Sequence, residues 1–352
     1  MNKTAKALTL VLIILFSVIC ITAIEPVLAN SYEPNSWVEL APMQMARAWL
    51  GVASANGKIF AIGGSTASGF EPATFPYGDI NLDNFVGTNE EYDPSNNTWS
   101  YKAQMPTPRM AFAIATVQGK IYCIGGRSIA GDMLGGYTSK NEMYNPNTNS
   151  WENKAPMPIA NGWINAKVVD GKIYISDPSG GFFVYDPLSD FWNSSAPTPS
   201  DGKLLLDYIP DGYETTGVMS PKMVYTFSDY NPTAKAYNPK NDSWRNGVAS
   251  PIGRTGFGIT LANDIFYVVG GYTYEPWGPF APVATNEEYI PFGYGAPDPE
   301  ITPPPSITPP TPTPSVPEFS WLTTLPLLLA IPIVLILIRK MVFSHRNKSE
   351  RF

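Results

Sequence analysis

A short motif recurs along the chain with fixed internal spacing. It combines a tyrosine, an Asp-Pro or Asn-Pro pair directly after it, and a tryptophan seven residues after the tyrosine. The four complete copies run from Tyr92 to Trp99, Tyr144 to Trp151, Tyr185 to Trp192 and Tyr237 to Trp244. The sequence Thr-Asn-Glu-Glu-Tyr also occurs twice unchanged, ending at Tyr92 and at Tyr289. Such regular repetition predicts an array of similar structural units.

Each unit contains further repeated features around the motif. A tight turn precedes an apolar run, and three of these runs end in glycine pairs: Gly63-Gly64, Gly125-Gly126 and Gly270-Gly271. An arginine follows three of the tryptophans by ten residues, at Arg47, Arg109 and Arg254, whereas Asn161 and Gly202 stand there in the other two copies. Short β-rich runs separated by turn residues predict antiparallel strands, four to a unit.

The glycine pair, the Tyr-Asx-Pro turn and the spaced tryptophan together resemble the kelch repeat. The resemblance covers residues 32 to 293 and implies an all-β, kelch-type β-propeller, in which each repeat forms one four-stranded blade around a central channel. The third and fourth repeats depart from it, with Ser176-Asp177 and Ser228-Asp229 in place of the glycine pair.

Counting the repeats predicts five blades. The fifth Tyr strand has no tryptophan after it, and an unmatched strand at Trp37 would complete that blade from the N-terminus and close the ring. A degenerate sixth blade inside residues 200–230 is the alternative.

The two ends of the chain differ from the middle. Residues 1–29 have the basic, apolar and small-residue order of a secretory signal peptide, with an uncleaved anchor as the alternative. The repeats occupy residues 30–294, and residues 295–318 form a Pro/Thr-rich stalk. Residues 319–338 predict a transmembrane helix, and the basic tail 339–352 predicts a cytoplasmic C-terminus with the propeller outside the cell membrane.

The junction between stalk and helix resembles a known sorting signal. Val316-Pro317-Glu318-Phe319, followed by the apolar helix and the basic end, is similar to the Pro-Glu-Phe tail of archaeal surface proteins. The resemblance implies cleavage and re-anchoring by an archaeosortase; the alternative is a plain membrane anchor.

Charge and residue usage narrow the function. Only Glu25 and Glu350 of the 30 Asp and Glu lie outside residues 30–318, and this region holds 16 of the 23 Lys and Arg, so its net charge is near −12. An acidic surface argues against a nucleic-acid partner. The only histidine, His345, lies in the tail, which argues against a copper site or a Ser-His-Asp triad in the propeller. After signal removal Cys123 is the only cysteine, so no intrachain disulfide is expected.

The long insertions after the glycine pairs predict a ligand-binding face. They share one face of the propeller with the repeated arginines, and aromatic side chains beside arginine suit an extracellular glycan or protein. The predicted residues are Arg47, Arg109, Arg254, Tyr77, Tyr137, Tyr274 and Trp277. In the alternative, the aromatic residues pack the loops together and the arginines brace the blades. The strictly periodic Tyr and Trp residues are predicted to form the core between blades.

Two further kinds of site can be read from the sequence. Asp79, Asn81 and Asp83 have the spacing of a weak calcium candidate, with Glu90 at the twelfth position, but Asn84 stands where such a loop needs glycine. No other cofactor is expected. Asn96, Asn193 and Asn241 begin glycosylation sequons.

The sequence therefore predicts a cell-surface binding module on a membrane anchor. Its expected partner is an extracellular glycan or protein, and an enzymatic function is not expected. The alternatives are a metal-free carbohydrate-active enzyme of the glycosidase or epimerase type, whose candidate carboxylates lie in the long loops, and a structural envelope component.

Overall fold

A computed structural model describes residues 32–68, 84–129, 136–176, 181–194, 213–228, 233–273, 281–296 and residue 298. The chain divides into two compact units, residues 1–301 and 302–352. The second unit, and with it the predicted transmembrane helix, the tail and most of the stalk, lies outside the described residues, as does the predicted signal peptide. In the described ranges no helix is long and apolar enough to cross a membrane.

The described residues form 25 short strands. The first thirteen are β1 (Ser36–Glu39), β2 (Gly51–Ala55), β3 (Lys58–Ile62), β4 (Asn89–Asp93), β5 (Thr98–Tyr101), β6 (Arg109–Met110), β7 (Ala113–Val117), β8 (Lys120–Ile124), β9 (Arg127–Ser128), β10 (Asn141–Asn145), β11 (Ser150–Lys154), β12 (Asn165–Val169) and β13 (Lys172–Ser176). The others are β14 (Phe182–Asp186), β15 (Phe191–Ser194), β16 (Tyr213–Glu214), β17 (Val224–Phe227), β18 (Thr233–Asn238), β19 (Ser243–Ala249), β20 (Arg254–Thr255), β21 (Gly258–Ala262), β22 (Ile265–Val269), β23 (Tyr272–Thr273), β24 (Ala281–Pro282) and β25 (Asn286–Ile290).

Twenty of these strands form five four-stranded antiparallel sheets, one for each predicted repeat. The first blade is β2-β3-β4-β5, the second β7-β8-β10-β11, the third β12-β13-β14-β15, the fourth β16-β17-β18-β19 and the fifth β21-β22-β25-β1. The fifth blade takes its outer strand from the N-terminus, and Trp37 of β1 lies opposite Tyr289 of β25. The described chain is thus the all-β repeat structure that the sequence predicts, with the first strand completing the last sheet.

Tight turns set the register of the inner hairpins. Asn56-Gly57, Gln118-Gly119, Asp170-Gly171 and Asn263-Asp264 each have two successive residues at positive φ. Two such residues form the type I′ turn, whose twist matches that of an antiparallel strand pair. Asn, Asp and Gly tolerate this conformation best, which explains why the sequence places them there.

Apolar cores lie between neighbouring blades. One core joins the fifth and first blades, a second the first and second, a third the second and third, and a fourth the fourth and fifth. The motif tyrosines Tyr92, Tyr144, Tyr185 and Tyr289 are fully buried in these cores. Trp244 differs from Trp99 and Trp192, because it remains 59% exposed. The third and fourth blades meet where the Lys167 ammonium lies 4.7 Å from the Tyr213 ring centroid.

Hydrogen bonds between blades explain the seven-residue spacing. The Tyr92 hydroxyl donates to Asn97 Oδ1 over 2.8 Å, and the same oxygen accepts the backbone N–H of Ala41 over 2.7 Å. Trp99 Nε1 then donates to the carbonyl of Ala41 over 2.7 Å. Because Ala41 follows the outer strand of the fifth blade, one residue is bound through both of its backbone groups to the first blade.

The same network is repeated in the next two blades. Its members are Tyr144, Asn149, Ala103 and Trp151 in one copy, and Tyr185, Asp190, Ala155 and Trp192 in the other. The tyrosine, the Asx residue five positions later and the tryptophan thus form one unit that joins adjacent blades.

Candidate binding face

The glycine pairs join neighbouring blades at the face that carries the long loops. Gly64 N–H donates to the carbonyl of Arg109 in the next blade over 2.9 Å, and Gly126 N–H donates to that of Asn161 over 2.8 Å. Both glycines have positive φ, and a Cβ on Gly126 would lie 2.7 Å from the carbonyl oxygen of Met110. Only glycine allows the backbone to approach this closely in this conformation.

Small additional sheets anchor the bases of the long loops. β6 pairs with β9 in the second repeat, and β20, β23 and β24 form a three-stranded sheet in the fifth. In the first repeat, Ser65 bridges Ala48 on one side and Phe85 on the other. The three repeats with a glycine pair therefore share a second layer that positions their loops above the blades.

The three repeated arginines lie beneath this layer in buried ion pairs. Their side chains are fully buried: Arg47 lies 3.2 Å from Glu90, Arg109 lies 2.5 Å from Glu142 and Arg254 lies 2.6 Å from Glu287. Each guanidinium also donates to a strand carbonyl, from Arg47 to Ala61, from Arg109 to Cys123 and from Arg254 to Val268. The arginines therefore bind their own blades together and present no guanidinium to the surface, which favours the bracing alternative.

Burial lowers the pKa of two of these arginines but leaves them charged at neutral pH. Desolvation lowers the pKa of Arg47 to about 10, partly offset by the charge of Glu90. Desolvation also lowers the pKa of Arg254, with Glu287 acting in the opposite direction. Both arginines remain charged at neutral pH, and each charge is matched by the carboxylate beside it.

The third blade has an uncharged residue at each position of this pair. Asn161 stands at the arginine position and Phe183 at the glutamate position, and Phe183 is buried. In the fourth blade, Lys235 stands at the glutamate position, and Gly202 at the arginine position lies outside the described residues.

Aromatic side chains meet above the blades at this face, and we call Trp49, Trp163, Tyr272 and Phe85 the aromatic floor. The Trp49 ring lies 5.7 Å from Trp163 in an edge-to-face arrangement and 4.7 Å from Tyr272, and it packs in a cluster with Phe85. Tyr272 is buried and donates through its hydroxyl to the carbonyl of Ala67 over 2.9 Å. Trp49 and Trp163 are half-buried.

A belt of backbone hydrogen bonds holds the floor. Trp49 N–H donates to the carbonyl of Gly256, Ala111 N–H to that of Trp49, and Trp163 N–H to that of Ala111, over 2.7, 3.0 and 2.8 Å. All four residues have positive φ between 52° and 63°. This conformation is strained for a bulky residue, and such strain persists only where the surroundings enforce it.

The other predicted site residues fall into three groups. Tyr137 is half-buried beside the aromatic floor, with its ring centroid 5.9 Å from the Arg127 guanidinium. Asn96, Asn193 and Asn241 are exposed. Tyr77, Tyr274 and Trp277, together with Asp79, Asn81 and Asp83 of the weak calcium candidate, lie outside the described residues.

Metal ligation receives no support from the described residues. They contain no group of three or more His, Cys, Asp or Glu side chains placed to hold a metal ion. Glu90, the twelfth position of the calcium candidate, is paired with Arg47.

The sequence interpretation missed Trp49 and Trp163. Each lies two residues after the arginine position, and Ala111 and Gly256 stand there in other repeats. The chemistry of this position varies while its backbone conformation is constant, so residue identity alone gave no repeat signal. The glutamate partners of the arginines did leave a signal, because Arg109 and Glu142 are 33 residues apart, as are Arg254 and Glu287.

Comparison with known proteins agrees with this geometry. The family model of the kelch motif matches residues 47–106 and 108–158. The first two repeats are thus similar to kelch repeats. The repeats outside these two matches have the same strand order, and their Tyr-Trp motifs are the ones described above.

The relatives share part of their length with this chain. Kelch-like protein 35 of Mus musculus is 29% identical over 47% of this chain and 26% of its own length. Kelch repeat and BTB domain-containing protein 12 of Homo sapiens is 31% identical over 43% of this chain and 24% of its own length. Kelch-like protein 15 of Homo sapiens is 24% identical over 69% of this chain and 42% of its own length. The chain thus spans less than half of these curated relatives. A solved structure titled "Structure of YjhT" matches 67% of this chain at 16% identity, with a TM-score of 0.38 that is too low to support an argument.

Proposed function

We propose that this protein is a cell-surface binding module that recognises an extracellular protein through its aromatic floor. The observation that carries the proposal is the pair of half-buried tryptophans, Trp49 and Trp163, held in strained backbone conformations by the belt. Tryptophan is enriched among the residues that dominate binding energy at protein interfaces. A rigid apolar surface also loses little conformational entropy when a partner binds.

The charged groups beneath the floor favour binding over catalysis. Glu90, Glu142 and Glu287 are each neutralised by a buried arginine, so they are committed to the fold. A glycosidase needs two carboxyl groups that flank a substrate and have different protonation states. These three carboxylates have neither the exposure nor the freedom for that role.

The last described residues contact the end of the fourth blade opposite the aromatic floor. Gly295 N–H donates to the carbonyl of Met219 over 2.7 Å, and Lys240 lies 2.8 Å from Asp298. Met219 and Lys240 belong to the β16–β17 and β18–β19 turns, at the end of the fourth blade opposite the long-loop face. The C-terminal residues that the structure describes therefore contact the fourth blade away from the aromatic floor.

Binding by the full chain and matched variants tests the proposal. The detergent-solubilised protein is immobilised and exposed to proteins released from the cell envelope, and dissociation constants are measured for the retained species. Trp163→Ala should weaken binding at least 10-fold, because an indole ring at an interface centre contributes about 2 kcal/mol or more. Trp244→Ala removes an equally large but distant exposed indole, and binding should persist.

Three outcomes would count against the proposal. Equal affinity of the Trp163→Ala variant and the unaltered protein would place the site elsewhere. Equal loss in both variants would indicate a general effect on folding, which circular dichroism of the variants would reveal. Retention that survives protease treatment of the envelope fraction but is lost after periodate oxidation would show that the partner is a glycan.

A further inference from the structure

Two copies of the same glutamate have opposite surroundings. Glu91 and Glu288 are the second glutamates of the two identical Thr-Asn-Glu-Glu-Tyr sequences. Glu91 lies 3.1 Å from the Lys102 ammonium, which is two residues beyond Ser100, the residue paired with Glu91. In the fifth blade Glu288 pairs with Val38, and the residue two beyond Val38 is Leu40. The cation of the first blade is thus replaced by a leucine.

Glu288 lies in the seam, which we define as the contact of β1 and its flanking residues with β25 and the first blade. Its side chain is nearly fully buried. Tyr267 on the neighbouring strand β22 is paired with Glu288, at the position where the first blade has Phe60 opposite Glu91. The fifth blade therefore offers this carboxyl group a phenol, where the first blade offers an ammonium.

The other titratable groups facing Glu288 are also phenols. Tyr92 of β4 faces it from the first blade, Tyr32 from the residues before β1, and Tyr294 from those after β25. The Tyr32 and Tyr294 rings contact each other edge to face, with centroids 5.5 Å apart, and those of Tyr92 and Tyr267 are 6.2 Å apart. The carboxyl group therefore sits where the N-terminal and C-terminal ends of the propeller meet.

This environment favours the neutral acid. Burial raises the pKa of Glu288 to about 7, and the neighbouring Tyr267 hydroxyl opposes part of that rise. Burial also raises the pKa of Tyr92 and of Tyr267, so both stay neutral across the range in which Glu288 titrates. Glu288 is thus the group at the seam that changes charge near neutral pH.

We propose that Glu288 is a pH-sensitive latch that holds the N-terminal strand in the propeller. As the neutral acid it fits the apolar, phenol-lined seam, and as the carboxylate it weakens the attachment of β1. Because the pKa in the closed state is raised above the ordinary value of 4.5, the stabilisation is fully present below about pH 4.5. It is lost as the pH rises through about 7, so the seam is tighter in acid and looser in alkali.

Amide hydrogen exchange on the detergent-solubilised full chain tests the latch. Protection of residues 36–39 in β1 is measured from pH 5 to 8.5, corrected for intrinsic exchange, and compared with residues 98–101 in β5 of the same sample. β5 is the equivalent outer strand of the first blade, where Lys102 supplies the missing cation. The protection factors of β1 should fall relative to those of β5 by on the order of 100-fold between pH 5 and 8.5. This size follows from the rise in the pKa of Glu288 on closing the seam.

Three variants separate the latch from a general effect. Glu288→Gln should remove the pH dependence of β1, because the amide cannot ionise. Leu40→Lys restores the arrangement of the first blade and should also flatten the profile while keeping β1 protected at pH 8.5. Glu91→Gln changes the equivalent glutamate of the first blade and should leave the pH dependence of β1 exchange unchanged.

The proposal fails if β1 and β5 lose protection in parallel as the pH rises, or if the Glu288→Gln variant keeps the dependence of the unaltered protein. If Glu288→Gln disturbs the fold, Leu40→Lys alone still decides, because an unchanged pH profile in that variant would exclude Glu288 as the titrating group.

Discussion

The first, second and fifth blades are built differently from the third and fourth. We call the first group the braced blades, since each has a glycine pair and a buried Arg–Glu pair, as at Arg109 and Glu142. In the third blade Asn161 and Phe183 occupy the positions of the ion pair, and Asp177 and Pro178 stand at the positions of the glycine pair. The same four-stranded blade therefore forms both with a buried Arg–Glu pair and with uncharged residues at those two positions.

The braced blades are adjacent in the ring and carry the long loops. The fifth, first and second blades follow one another, and each supports its loop bases on an additional small sheet or bridge. A buried ion pair is weak evidence for stability, because desolvation offsets much of the Coulomb attraction. Its value here is positional: guanidinium donors reach fixed carbonyls and place the residues that follow, including Trp49, in one geometry.

Breaking a brace should have the largest effect. Glu142→Ala leaves the Arg109 charge buried without a partner, and such a loss costs about 3–5 kcal/mol of unfolding free energy. Urea unfolding of the variant measures it. The double variant Arg109→Met with Glu142→Leu, which removes both buried charges and leaves apolar side chains, should recover most of this loss. A loss of unfolding free energy below about 1 kcal/mol in the single variant would show that the Arg109–Glu142 pair contributes little to stability.

The glycine pair should give the next largest effect. An alanine at Gly126 combines a strained φ of 100° with a Cβ 2.7 Å from the Met110 carbonyl oxygen. Gly171, in a hairpin turn of the third blade, also has positive φ but has open space around it. Gly171→Ala should cost about 1 kcal/mol from backbone strain, and Gly126→Ala about 1–3 kcal/mol more from overpacking. Equal shifts in the urea midpoints would contradict the close-approach argument.

The motif tyrosines should give the smallest effect. Tyr144 is fully buried and donates to Asn149 Oδ1 over 2.8 Å, whereas the equivalent Tyr237 bond to Asp242 in the fourth blade is exposed. Tyr144→Phe should therefore cost about 1 kcal/mol, since it leaves the inter-blade network one donor short. Tyr237→Phe should cost less than half of that. A reversed order in thermal unfolding would show that this network does not join the blades.

Local patterns were enough to predict most of the fold. The seven-residue spacing from tyrosine to tryptophan, the turn pairs and the glycine pairs predicted the strands, their order and the completion of the fifth blade by Trp37. These features report local geometry, which repeats in every blade. Trp244 is the exception, because a tryptophan is buried only where the neighbouring blade covers it, and that depends on residues far away in the sequence.

The candidate site was harder to predict. The sequence predicts Arg47, Arg109 and Arg254 at a binding face, whereas each buried guanidinium pairs with a glutamate in a strand more than 30 residues later. A residue type shows that a charge is present, but only strand register shows whether that charge is paired. Trp49 and Trp163 of the aromatic floor were missed because their position has the same positive φ in four repeats, while the residue there changes between Trp, Ala and Gly.

The sequence by itself determined the repeat and the hairpin turns, because each depends on contacts between residues close in the chain. Only the tertiary structure decided which arginine met which glutamate, and that Trp49 would lie against Trp163. It also decided that Glu288 would be buried among phenols while its identical copy Glu91 met a lysine. Identical pentapeptides acquired different chemistry because the strand laid beside each one came from a different part of the chain.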